Sequence, residues 1–113
     1  MSVDKWSDST VVVHLADDPQ FTEELEDLDE FNNSASECHN AVLDFSGVIT
    51  LNSSNLAKLL KLRKQAIAAH RRLILCNVGD HVMSTLMVTG LDNIFDLSQD
   101  VSTALATLEM SRR

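Results

Sequence analysis

A chain of 113 residues is long enough for one domain with one core and too short for two. Its 44% apolar and 23% charged residues mark a globular chain rather than a disordered one. A net charge of −8 argues against nucleic acid or an anionic membrane as the primary partner, because neutralising phosphates takes an excess of Lys and Arg.

Along the chain, a short edge strand is expected around Ser2–Ser7. Thr10-Val11-Val12-Val13-His14-Leu15 then reads as a strand from its β-branched density, ended by Asp17-Asp18-Pro19. From Pro19 to about Phe31 the residues Phe21, Leu25, Leu28 and Phe31 recur at helical spacing, with acids on the other face. Asn32-Asn33-Ser34-Ala35-Ser36 reads as a polar loop, and Ala41–Phe45 as a buried strand interrupted at Asp44. That strand breaks at Gly47, and a polar turn leads to Ser53 and Ser54, where the next helix begins.

In this second helix Leu56, Leu59, Leu60, Leu62, Ala66 and Ile67 lie on one arc, with Lys58, Lys61, Lys64 and Gln65 opposite. Arg63 falls inside the apolar arc and is read as snorkelling past its neighbours. Leu73–Val78 has the continuous apolar character of a strand covered on both faces, broken by Gly79. Asp80 is the expected N-cap of a short helix whose Met83 and Met87 read as core filler, with Gly90 suited to a left-handed C-cap. Ile94–Leu97 reads as a brief strand, and Ser98 or Asp100 caps a last helix carrying Val101, Ala104, Leu105 and Leu108.

This order predicts an α/β fold: a mixed, mostly parallel sheet of about five strands packed with about four helices, because helical crossovers join parallel strands. Only Asp8 and Ser9 separate the first two strands, so these form an antiparallel hairpin edge. The domain is expected over residues 3–108, with 109–113 fraying.

Charge is segregated along the chain. Residues 16–37 carry acids and no base, whereas residues 58–72 carry Lys58, Lys61, Arg63, Lys64, Arg71 and Arg72 and no acid. Such a division fits two solvated faces or a surface that orients a partner. Cys38 and Cys76 lack the density of a secreted disulfide scaffold, and from the polar, mixed-charge start Met1-Ser2-Val3-Asp4-Lys5-Trp6 no signal peptide is expected. No apolar run reaches membrane-spanning length, so a cytoplasmic protein without direct membrane insertion is expected.

Several chemistries find no support in the spacing. The cysteines and histidines show no Cys-x-x-Cys or His-x-x-x-His pattern, so no metal site is expected. Gly-x-Ser-x-Gly is absent, and three glycines do not build a phosphate-binding loop. Neither an enzyme nor a cofactor is expected. What stands out is a pair of serine hydroxyls at a helix N-terminus, where the first amides lack intrahelical partners and the dipole is positive. A serine there either caps the helix or carries a phosphate that those amides hold.

Val42-Leu43-Asp44-Phe45-Ser46-Gly47-Val48, Asn52-Ser53-Ser54-Asn55-Leu56, Leu73–Val78 and Thr89-Gly90-Leu91 with Ile94-Phe95 together resemble the successive landmarks of the STAS domain, the fold of bacterial anti-sigma factor antagonists. The resemblance implies a non-catalytic switch that binds an anti-sigma factor or serine kinase of the anti-sigma class and is turned off by phosphorylation. Ser54 falls at the phosphoacceptor position, with Ser53 beside it as second candidate. A rim of Asn52, Ser53, Ser54, Asn55, Lys58, Asn77 and Gly79 is expected to meet the partner, with self-association left open.

This chain departs from the family pattern in three places. Asn52 replaces the usual aspartate before the serines, Asn55 replaces the usual glycine after them, and Ala16-Asp17-Asp18 replaces a Gly-x-Leu-Asp step. The first removes a charge that can orient the hydroxyl, and the second adds a side chain where a partner backbone approaches. Three other readings stand beside the switch: a phosphorylation-independent scaffold, an accessory subunit of a transporter, and a receiver-like domain using Asp17, Asp18 and Asp44.

Overall fold

The structure, a computed structural model, describes residues 3–7, 10–34 and 40–110. Five strands form one sheet in the order β1-β2-β3-β4-β5. They are β1 (Val3–Lys5), β2 (Thr10–Ala16), β3 (Asn40–Gly47), β4 (Leu73–Cys76) and β5 (Asp96–Ser98). The helices are α1 (Gln20–Ser34), α2 (Ser53–Ala68), α3 (Asp80–Thr89) and α4 (Val101–Met110). β1 pairs antiparallel with β2, and every other pairing is parallel, as the connections require.

Sequential strand order combined with right-handed crossovers places α1, α2 and α3 on the same face of the sheet. Between them and the sheet lies the larger core, in which Val11, Val13, Leu43, Phe45 and Leu75 meet Phe21, Leu28, Leu59, Val82 and Leu86. Phe21 packs edge-on against Phe45, at a centroid distance of 6.1 Å. α4 covers the opposite face, where Ala104 and Leu108 pack on Val12, Val42, Ile74 and Cys76. Burial on both faces is why β4 is apolar at every position.

Several boundaries differ from expectation. α1 continues through Asn32, Asn33 and Ser34, which were expected to be loop, since extending a formed helix is far easier than starting one. β4 stops at Cys76, because Asn77 takes a left-handed backbone (φ 54°) and its amide donates to Gln99 O. The last strand is Asp96–Ser98 rather than Ile94–Leu97. A 3-10 turn over Leu91–Asn93 draws in the next two amides, with Ile94 N and Phe95 N both donating to Leu91 O.

The caps and the methionines also differ. Gly79, not Asp80, occupies the N-cap of α3, and Asp80 sits in the first turn, where its charge still complements the dipole. Met87 is 60% exposed, so it is not core filler. Arg63 donates from Nε to Ile94 O at 3.1 Å, tying α2 to the turn before β5. Gly90 closes α3 in the left-handed conformation (φ 76°), and Asp100 starts α4 by accepting from Thr103 N at 2.8 Å. α4 runs to Met110, past the expected start of the tail, while residues 111–113 and Cys38 lie outside the described residues.

Candidate functional site

β2 and β3 are parallel neighbours, so both deliver their following loops to the same end of the sheet. The two strands close tightly there: a Cβ on Gly47 would stand 2.7 Å from Leu15 O, a distance only glycine allows. Val48 is buried and its amide donates to Phe45 O, turning the chain outward so that Ile49 and Thr50 are exposed. The Asp17 carboxylate receives both of their amides through Oδ1, at 2.9 and 3.2 Å. The loop after β2 thus holds the loop after β3 in place.

The serines do not cap α2. Asn52 occupies the N-cap, and its Oδ1 accepts from Asn55 N at 2.8 Å while Asn55 Oδ1 accepts from Asn52 N at 3.0 Å. This is a capping box built from two asparagines instead of the commoner Ser/Thr with Glu/Gln. Ser53 and Ser54 are the first and second helical residues, and both are exposed.

Asn55 was expected to face a partner, but it is only 2% exposed. Its carboxamide turns inward and donates from Nδ2 to Asp18 Oδ2 at 2.9 Å, beside Asn52 Nδ2 at 3.1 Å on the same oxygen. The other oxygen of Asp18 accepts from Thr22 N at 3.1 Å and Thr22 Oγ1 at 2.8 Å. One carboxylate therefore serves the starts of two helices. Asn55 foremost, then Thr22 and Asn52, hold the Asp18 carboxyl at about 2, against a smaller opposing effect of burial.

Of the remaining rim residues, Lys58 lies one turn along α2 and lines a groove of about 250 Å³ with Lys61, Leu62, Leu25, Glu26 and Asp29. The segregated charges of the sequence thus meet between α1 and α2. Gly79 is exposed at the start of α3. Asn77 belongs to a different cluster at this end of the sheet, since its Nδ2 donates to Asp44 Oδ1 at 3.0 Å. Asp44 also accepts from Ser46 N at 3.0 Å and His14 Nδ1 at 2.8 Å, on the α4 side. Burial pushes the Asp44 carboxyl up, yet the donors from Asn77, Ser46 and His14 outweigh it and bring it to about 2.

The structure brings Asn52, Ser53, Ser54 and Asn55 together with Asp17 and Asp18, which the sequence offers only as part of a receiver-like acidic pocket, and with Thr22, which it does not single out. A signal for them existed: two acids directly after a parallel strand, at the end of the sheet where loops carry function. Their carboxylates already accept backbone and side-chain donors, and Asp44 faces the other side of the sheet, so the three do not form a receiver-like acidic pocket. Sequential strand order also offers no topological switch point for a nucleotide. Among the described residues no group of three or more His, Cys, Asp or Glu side chains could hold a metal. Burial, then the charges of Asp44 and Asp100, push the Cys76 thiol to about 12, which keeps it protonated and unreactive.

Comparison with known structures places this architecture. The fold superposes on Moorella thermoacetica RsbS, in a serine-to-glutamate variant, with a TM-score of 0.79 at 19% identity, covering 95% of this chain and 94% of that one. A Thermotoga maritima protein described as an anti-sigma factor antagonist gives 0.74 at 21% identity, covering 95% and 91%. A chain from a structure of the stressosome gives 0.75 at 20%, covering 95% and 96%. No curated protein sequence matches. The family model of the STAS domain matches residues 5–104, and with nearly the whole chain spanned in this way, the protein belongs to the STAS domain family.

Proposed function

We propose that this STAS domain is a partner-binding regulator of the anti-sigma factor antagonist kind, working in the cytoplasm. It docks an anti-sigma serine kinase through the exposed start of α2 and is released when Ser54 is phosphorylated, with Ser53 as the second candidate acceptor. The observation that carries this reading is the division of labour at the helix start: Asn52 and Asn55 provide the cap, and the two serine hydroxyls are exposed without taking part in it. A phosphate of roughly −1.5 to −2 charges there changes the surface that a partner meets, while leaving the cap and both cores intact.

The wider rim is supplied by Asn52, Lys58, Gly79 and Asn77, with exposed Ile49 as an apolar contact beside the serines. Asn55 shapes this surface from behind. Two neighbours support the reading by their own descriptions: the RsbS structure carries a serine-to-glutamate change, and the stressosome is described as a signal integration and transduction hub. No helix among the described residues is long and apolar enough to cross a membrane.

Incubation with ATP and a candidate anti-sigma kinase, read by phosphate-affinity electrophoresis and pull-down, tests the proposal. Wild type is expected to be labelled and Ser54→Ala to bind without labelling. Ser54→Glu should bind at least about tenfold more weakly, through like-charge repulsion at the interface. Unchanged labelling of Ser54→Ala together with unchanged binding of Ser54→Glu removes the switch. Recovery of a transporter ATPase from native cytoplasm would instead assign an accessory role.

A further inference from the structure

We propose that Asp18 is a positioning residue that transmits a negative charge gained at Ser54 into the first turn of α1. The inference rests on the proposed modification of Ser54, and it concerns what the charge does inside the domain rather than at the partner.

A carboxylate offers about four lone-pair sites, and Asp18 uses four donors: Thr22 N and Oγ1 on one oxygen, Asn52 Nδ2 and Asn55 Nδ2 on the other. Asn52 Oδ1 has also taken the Asn55 amide, the third of the helix and one that an anion at this N-terminus would otherwise use. A phosphate or carboxylate on Ser54 therefore finds the carboxamides of Asn52 and Asn55 and one helix amide occupied.

Ser54 stands in the first turn of α2 between Asn52 and Asn55, the two residues bonded to Asp18, and charges at physiological salt act over about 8 Å. Two anions then compete for one positive helix end. Asp18 is the member that can move, because it lies in the exposed loop between β2 and α1, whereas Asn55 is buried within a helix. Withdrawal of Asp18 from Asn52 and Asn55 disturbs the bonds its other oxygen makes to Thr22. It also disturbs the neighbouring Asp17, which holds Ile49 and Thr50. The charge is thus felt at the start of α1 and along the loop before α2, and the surface altered by modification is larger than the serine itself.

Amide hydrogen exchange on the full chain tests this without any kinase, using Ser54→Glu against its neutral isostere Ser54→Gln. Exchange of the Thr22 and Thr50 amides is expected to accelerate about tenfold in Ser54→Glu and to stay at the wild-type rate in Ser54→Gln. In an Asp18→Asn background the two Ser54 variants should differ by less than about twofold. At 1 M NaCl, where the screening length falls to about 3 Å, the acceleration should shrink toward the Ser54→Gln rate, a readout that needs no Asp18 variant. Equal exchange in Ser54→Glu and Ser54→Gln overturns the inference, as does a full acceleration that survives Asp18→Asn or high salt. A kinase that fails to label Ser54 would remove the source of the charge while leaving this exchange result standing.

Discussion

Asp18 and Asp44 lie at the same end of the sheet and are both held at about 2, yet they reach that state by different routes. Asp44 is buried between two strands, and its donors from Asn77, Ser46 and His14 must first overcome desolvation. Asp18 is exposed in a loop, where burial is secondary and bonds to the starts of two helices dominate. An ionised group inside the sheet fixes backbone that would otherwise be unsatisfied, whereas one at the rim joins elements that can still move relative to each other. The Asp44 cluster is therefore read as structural and the Asp18 cluster as the adjustable part of the site.

The sharpest way to break this comparison is Asp44→Ala. It removes a buried carboxylate that accepts from the Ser46 amide, the Asn77 carboxamide and the His14 ring, donors that water reaches in part, so urea denaturation should show a loss of about 2 kcal/mol. A loss below about 1 kcal/mol would show that water satisfies these groups and that the cluster is not structural.

Acid sharpens the same contrast. Both carboxyls have folded-state values below their ordinary 3.8, so the folded state favours their ionised forms. The resulting stabilisation is complete above about 4 and is lost as pH falls toward about 2. Urea midpoints measured at pH 7, 4 and 3 should drop mainly between the last two. Asp44→Asn should flatten that drop, because one of the two groups no longer binds a proton on unfolding.

Much of the architecture was legible because it rests on periodicity and crossovers. The β-branched density of Thr10–Leu15, the apolar run of Leu73–Cys76 and the Gly90 cap all carry short-range signals, and parallel order follows from the helices between strands. The site was legible only in part. The family landmarks pointed to Ser53 and Ser54, but Asn55 looked like a surface residue because its helix position alone does not reveal a partner 37 positions earlier. Asp17 and Asp18 read in the sequence as the end of a strand and as candidates for a receiver-like pocket, but not as partners of the loop before α2, since that acceptor role depends on β2 and β3 being neighbours. Met87 misled for the opposite reason: its spacing with Val82 and Leu86 is helical, but it sits on the side of α3 turned away from the sheet.

On the adjustable side of the comparison the expected effects are smaller. Asn55→Ala removes one donor to Asp18 and one acceptor for the Asn52 amide, and should destabilise the fold by about 1–2 kcal/mol in the same denaturation assay. Asn52→Ala, which deletes the cap oxygen, should cost about 1 kcal/mol.

Ser53→Ala and Ser54→Ala should each fall within about 0.5 kcal/mol of wild type, because exposed residues in a first turn contribute little once another side chain caps it. The two asparagine variants and the two serine variants together form the decisive set. If the serines carried the cap, their removal would cost as much as that of Asn52, and their hydroxyls would be tied to the fold rather than available to a kinase. Near-neutral serine variants beside a costly Asn52→Ala are the result that separates a helix start held by asparagine from one held by serine, and only the former leaves a hydroxyl whose modification can change docking without first dismantling α2.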